Sequence, residues 1–243
     1  MKASEPPRWL LIGNSRWHWA WPDPDAPAKL ALLHTSPAEP RPDLRGLIAW
    51  AAVGRVPAGL LPESRRLGIE AVPMADLPPW LGIDRALAGW RAWRITGQSV
   101  LVADAGTVLS LTWVDGGGAF RGGRLLAGAG LQLRAMAAGT ALLPTLEPAQ
   151  AMALDPWECP PEAWARDTAA AMRAGVLRGL AAAIGAAHAE LCRREGDCRL
   201  VITGGDARAL LALPGWSDRS GLTPEHHPDL ALRALAALRP QVG

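Results

Sequence analysis

Two hundred and forty-three residues are too few for three domains and leave one large domain or two half-size lobes. Hydrophobic residues at 49% and charged residues at 20% supply a real core and exclude a disordered chain. A net charge of +2, with the Arg residues scattered and no basic run, leaves nucleic-acid binding without an electrostatic footprint.

The chain opens with Glu5, Pro6 and Pro7 before a four-residue apolar run, Trp9 to Ile12. That run reads as a strand and is too short for the apolar core of a signal peptide. Gly13-Asn14-Ser15 reads as a turn, Trp17 to Trp21 as an aromatic strand closed by the Pro-Asp stretch at 22–25, and Leu30 to His34 as a third strand. Short apolar segments follow at Leu47–Val53 and Ile69–Val72. Ile83, Leu87, Trp90 and Ile95 suit one helical face, which predicts a helix over 83–93.

A second strand-rich block begins at Ser99. Val100 to Ala103 is a strand, Asp104-Ala105-Gly106-Thr107 a turn, Val108 to Val114 a strand, Asp115 to Gly118 a hairpin turn, and Ala119 to Leu126 a third strand. Helices are predicted over 131–142, from Asp167 to Arg194 with Asp167 or Thr168 as N-cap, from Asp206 to Leu213, and from Asp229 to Leu238. A proline-bearing loop spans Thr145 to Trp164, and Leu200 to Ile202 is a strand. The longest uncharged run, Ala135 to Leu146, is twelve residues, short of the roughly 18 needed to span a bilayer, so no membrane is expected. Cys159, Cys192 and Cys198 lack CxxC spacing and read as reduced thiols of a cytoplasmic protein.

An internal echo organises these elements. Residues 10–21 and 102–114 share one plan: apolar strand, Gly-polar turn, apolar strand ending at Trp. Two halves opening in the same way suggest duplication into two α/β lobes, 1–96 and 97–243, with a cleft between them.

Three turns combine Gly with a hydroxyl or a carboxylate: Gly13-Asn14-Ser15, Asp104 to Thr107, and Thr203-Gly204-Gly205-Asp206. Glycine lets backbone N–H groups approach an anion, a Ser, Thr or Asn adds a donor, and an Asp can hold a cation against a phosphate. None is a Walker A loop or a GxGxxG fingerprint. Gly82-Ile83-Asp84-Arg85 pairs an acid with a base at a helix start, either a cap or a carboxylate that takes a proton from a substrate hydroxyl. His18 reads most simply as a packed strand residue, and His226-His227 as part of a loop without a metal.

The order of these motifs resembles that of type III pantothenate kinase. The D-x-G-N-[TS] motif of that family resembles Leu11 to Ser15, its G-x-D-R motif matches Gly82, Asp84 and Arg85, and its D-x-G-T motif matches Asp104, Gly106 and Thr107. Gly122-Gly123 through Thr140 to Pro144, Asp167 to Gly175, and Thr203 to Asp206 are similar to further family motifs. The resemblance implies duplicated ribonuclease-H-like lobes of the actin and sugar-kinase superfamily, a homodimer, and ATP-dependent phosphorylation of pantothenate at the start of coenzyme A synthesis. It implies that Asp84 is the proton acceptor and that Gly82, Ile83, Asp84, Arg85 and Thr168 bind pantothenate. Leu11, Ile12, Gly13, Asn14, Ser15, Arg16, Trp17, His18 and Thr107 would bind ATP with Mg2+. Asp104 would bind a monovalent cation, K+ or NH4+.

Three positions depart from the family pattern. Its first Asp is Leu11, the Tyr that commonly precedes G-x-D-R is missing from a chain without Tyr, and Ala127 stands where Pro often precedes Gly128. A non-catalytic accessory relative and a kinase of another small hydroxyl compound are the alternatives on the same fold.

Overall fold

The apolar run at the start of the chain becomes one of the two inner strands of a four-stranded sheet. In the computed structural model, described here for residues 5–36, 43–146, 163–216 and 223–239, this sheet comprises β1 (Arg8–Ile12), β2 (Trp17–Pro22), β3 (Leu30–Thr35) and β4 (Leu47–Ala52), in the order β3-β2-β1-β4. β2 runs antiparallel to β1 and β3, and β4 runs parallel to β1. The two-residue period puts Leu10, Ile12, Trp17 and Trp19 on one face, where they form a core cluster with Leu47, Trp50 and Leu61.

The opposite face of this sheet takes the last helix, α5 (Leu230–Leu238), which packs on β1, β2 and β4. Trp9 Nε1 donates to the carbonyl of Arg239 at 2.7 Å, fastening the far end of α5 across 230 residues of sequence. Leu230 and Leu235 are fully buried there, each worth about 2 kcal/mol of removed apolar surface. The helix predicted over 83–93 is α1 (Ile83–Thr96), with Ala86, Leu87 and Trp90 on its buried side, whereas Ile95, expected on the same face, is exposed in the last turn.

A second sheet repeats the plan with one more strand: β5 (Val100–Ala105), β6 (Val108–Val114), β7 (Phe120–Ala127), β8 (Arg199–Thr203) and β9 (Glu225–His226), in the order β7-β6-β5-β8-β9. β6 is antiparallel to β5, and β8 is parallel to it. The echo in the sequence is therefore an echo in topology, a hairpin whose first strand takes a parallel neighbour. α2 (Ala129–Ala138), α3 (Thr168–Glu195) and α4 (Ala207–Leu211) accompany this sheet. Met172, Val176, Leu180, Ile184 and Leu191 recur at helical spacing along α3 and enter the core with Leu101, Leu109, Leu111, Leu200 and Ile202. By length and composition α3 could cross a membrane, but it packs on α2, α4 and β5.

Contacts divide the chain into one unit of Met1–Ile95, Gly118–Phe120 and Asp229–Gly243 and another of Thr96–Gly117 and Arg121–Pro228. The helix near 230–238, expected with the 97–243 half, thus belongs to the first unit, because its apolar side is buried on the back of β1. Asp104 and Ala105, expected in a turn, extend β5, since Asp104 pairs with both Ser110 and Thr203. α2 starts two residues early and stops at Ala138, where the N–H of Gly139 bonds the carbonyl of Ala135 and ends the helix. His226, expected in a loop, forms β9 against β8. The proline-bearing loop and Cys159 lie mostly or wholly outside the described residues.

Candidate functional site

In the first unit, two functional segments grow from the ends of strands. β1 ends at Ile12, and the chain turns through Gly13, whose N–H donates to the carbonyl of Arg16 at 2.9 Å. Asn14, Ser15 and Arg16 are exposed in this turn. Ile12 and Trp17 are not: both sit in the core cluster, so only their backbones can serve a ligand. Leu11 is buried and pairs across the ladder with His18. Gly54, just beyond β4, supports the turn from behind. A Cβ there would collide with the carbonyl oxygen of Gly13.

The second segment is the start of α1. Asp84 lies inside the first turn of the helix, which begins at Ile83, and so is not its N-cap. Oδ1 of Asp84 accepts from the N–H of Arg85 at 2.8 Å. Burial pushes the carboxyl of Asp84 above the ordinary carboxylate range, against the opposing pull of that N–H and of the Arg85 charge. Burial also lowers Arg85, and Asp84 partly offsets it. A Cβ on Gly82 would stand 2.6 Å from Oδ1 of Asp84, so any larger residue would push that carboxylate aside. Ile83 is buried and anchors the turn. Trp80, where the family's missing Tyr drew attention, is largely exposed and meets Phe120 edge-on at 6.3 Å.

In the second unit, three glycine turns meet at the ends of β5 and β8. Gly128 donates its N–H to the carbonyl of Thr107 at 3.0 Å, and a Cβ on it would collide with the carbonyl oxygen of Gly106. Gly204 has a left-handed φ of 94°, and its missing Cβ would stand 2.5 Å from Oδ1 of Asp104. Asp206 donates its N–H to the carbonyl of Ala105 at 2.9 Å. Asp104, Gly106, Thr107, Gly204 and Asp206 are thus brought together. Thr168 is exposed at the first position of α3, next to Asp167, which caps the helix by accepting from the N–H of Ala170 at 2.9 Å.

Sequence reasoning had not singled out Gly54, which stands behind the first turn as Gly204 stands behind Ala105. It also missed what surrounds His18. Nδ1 of His18 lies 2.8 Å from Nδ1 of His34, and His34 Nε2 lies 3.4 Å from a carboxylate oxygen of Asp229. Burial, with His34 beside it, lowers the pKa of His18 to about 4. Residues 16 and 211 positions away leave no local signal for such a contact.

The Gly turns around Asp104 in the second unit and the acid-base pair on a helix start in the first are each of a kind that phosphoryl transfer uses. A family model for type III pantothenate kinase matches residues 63–190, more than half of the chain. A type III pantothenate kinase from Synechococcus sp. strain JA-2-3B'a(2-13) is 38% identical over 239 residues, covering 95% of this chain and 88% of the relative. The chain belongs to the type III pantothenate kinase family.

For this family the matched stretch contains Gly82, Asp84, Arg85, Asp104, Gly106, Thr107 and Thr168. Membership makes the chain a kinase, with ATP and a divalent metal on the donor side and pantothenate as acceptor. Two solved structures carry the fold. One is a conserved protein described as a Baf family transcriptional activator from Campylobacter jejuni, with a TM-score of 0.56, 16% identity, and 95% and 96% of the two chains covered. The other is the activator of 2-hydroxyisocaproyl-CoA dehydratase from Clostridium difficile with bound ADPNP, with a TM-score of 0.50, 12% identity, and 97% and 94% covered. Both agree with the duplicated, ribonuclease-H-like α/β plan of this type III pantothenate kinase family member. Asp104 in the second unit is a hard oxygen donor of the kind that holds a cation, and its Oδ1 lies against Gly204, whose missing Cβ would stand 2.5 Å away. Position 11 offers no ligand, because Leu11 is apolar and buried.

Proposed function

We propose that this chain transfers the terminal phosphoryl group of ATP to the terminal hydroxyl of pantothenate, giving 4'-phosphopantothenate, the first step toward coenzyme A. The observation that carries this reading is the Asp84 carboxylate over Gly82, inside a stretch that matches a kinase family. Phosphoryl transfer asks the protein for positioning, neutralisation of charge and a group that takes the hydroxyl proton. Asp84 accepts that proton. Its raised pKa suits the task, because a carboxylate that holds a proton more readily is a better acceptor. Arg85, Gly82, Ile83 and Thr168 hold pantothenate.

The exposed turn of Gly13, Asn14, Ser15 and Arg16 offers N–H groups, an amide, a hydroxyl and a positive charge to the ATP phosphates. Leu11, Ile12, Trp17 and His18 frame it, and Thr107 adds a hydroxyl in the second unit. Asp104 holds K+ or NH4+, which supplies fixed positive charge, and Mg2+ accompanies ATP. Homodimer assembly is supported by α3, where Ala171, Gly175, Gly179, Ala182 and Ala186 form an exposed stripe of small residues that allows close helix approach. An interface of more than roughly 1,200 Å2 is expected.

A coupled ADP-release assay with ATP, pantothenate and Mg2+ tests the reading. ADP release should depend on pantothenate and rise when Na+ is replaced by K+ or NH4+. Leu11 favours a second reading, an accessory relative that binds ligands without turnover. It predicts ATP binding with no pantothenate-dependent ADP release in any of the three salts.

A further inference from the structure

We propose that His18, His34 and Asp229 form a binding site for a divalent first-row transition metal, with Zn2+ the natural probe. Each residue offers one ligand atom, and these atoms all lie within 4.8 Å of one another, so small side-chain rotations would gather them around one ion. The sheet builds the first half of the site. His18 and His34 stand directly opposite on β2 and β3, on one face of the ladder, with their rings edge to face at a centroid distance of 4.9 Å.

Helix α5 brings the third ligand. Asp229 occupies its N-cap position, where an Asp normally accepts from the helix's own N–H groups. Here the side chain makes no cap hydrogen bond, the backbone takes a left-handed φ of 56°, and the carboxylate turns to His34 at 3.4 Å. Asp229 and Asp76 are the only non-glycine residues among those described with positive φ. The carboxylate is thereby held beside two imidazoles, the placement that a shared ion needs.

The donor set is two imidazoles and one carboxylate, which suits Zn2+, Ni2+ or Cu2+ and not Mg2+. The partial exposure of His34 and Asp229 leaves room for water to complete the coordination shell. All three ligands belong to the first unit, and the ion would fasten the start of α5 to the β2–β3 edge. The site shares His18 with the frame of the proposed ATP turn, but its other two ligands, His34 and Asp229, belong to neither the ATP turn nor the monovalent-cation site at Asp104.

The test is isothermal titration of the full chain with Zn2+, alongside His34→Gln and Asp229→Asn. One Zn2+ per chain is expected, with affinity falling at least about ten-fold in each variant and a Zn2+-induced rise in melting temperature lost from both. Cobalt provides a check that needs no variant. Co2+ on the unmodified chain should give visible d–d bands without a thiolate charge-transfer band, since the ligands are nitrogen and oxygen. Absence of Zn2+ binding at millimolar concentration, an affinity unchanged from the parent's in either variant, or a thiolate band placing the ion on cysteine would overturn the proposal.

Discussion

The Cβ that Gly204 lacks would stand 2.5 Å from Oδ1 of Asp104, and it would collide with the backbone carbonyl oxygen of Ala105 as well. The turn after β8 therefore comes as close to the end of β5 as a chain can, and the φ of 94° adds a second demand for glycine. Gly204→Ala should cost about 3 kcal/mol of unfolding free energy, from backbone strain and a clash that no side chain can relieve. Gly205 has nothing within 4 Å of its own missing Cβ. Gly205→Ala should stay within about 0.5 kcal/mol of the parent when both variants are compared with it by urea titration.

Leu11→Asp restores the carboxylate that the family pattern carries, but it restores it into a packed site. Leu11 is 7% exposed and lies opposite His18 on β2 and beside Ala51 on β4. An ionised carboxylate there should cost about 3 kcal/mol in metal-free buffer at pH 7. The loss should shrink near pH 4, where burial keeps the new carboxyl protonated. A stable variant at pH 7 would mean that the strand can open its face to water.

Asp84 should be a liability to stability. Its native pKa lies above the ordinary 3.8 because of burial. Between the two values the native state keeps a proton that the unfolded state has lost, so stability falls as pH rises through that window and stays lower above it. Asp84→Asn removes the penalty. Its melting temperature should exceed the parent's at pH 7, and the difference should vanish below about pH 4. A variant that melts at or below the parent's temperature at pH 7 would contradict the penalty.

Assembly is tested on α3. A cation or anion in the small-residue stripe should separate the proposed dimer without unfolding the chain, because Gly179 has no neighbour within 4 Å of its missing Cβ. Sedimentation should find a dimer for the parent and a monomer for Gly179→Glu. A parent chain that is monomeric at working concentration would remove the dimer.

Local signals carried much of this molecule. Continuous apolar runs announced β1 and β5, the Gly-polar turns announced their ends, and Asp167 announced the start of α3. What remained illegible depends on distant partners. β5 runs on through Asp104 only because Ser110 and Thr203 are there to pair with it. β9 is two residues long and exists by pairing with β8. Nothing near Leu230 indicates that its helix returns to β1, since the contact that fixes it is Trp9 with Arg239. The same holds for the candidate site. Gly82 and Asp84 were legible as a motif, whereas the close approach of Gly204 to Asp104 and the meeting of His18, His34 and Asp229 required the fold.

The most direct measurement is kcat for pantothenate-dependent ADP release by the parent and by Asp84→Asn, with ATP affinity recorded on the same preparations. Asn keeps the size and one acceptor of Asp but loses the charge that takes the proton. The parent should turn over pantothenate, and kcat should fall roughly 10²–10⁴-fold in the variant while ATP binding stays nearly unchanged. A parent that releases no ADP in the presence of pantothenate, or a variant with normal kcat, would contradict the account.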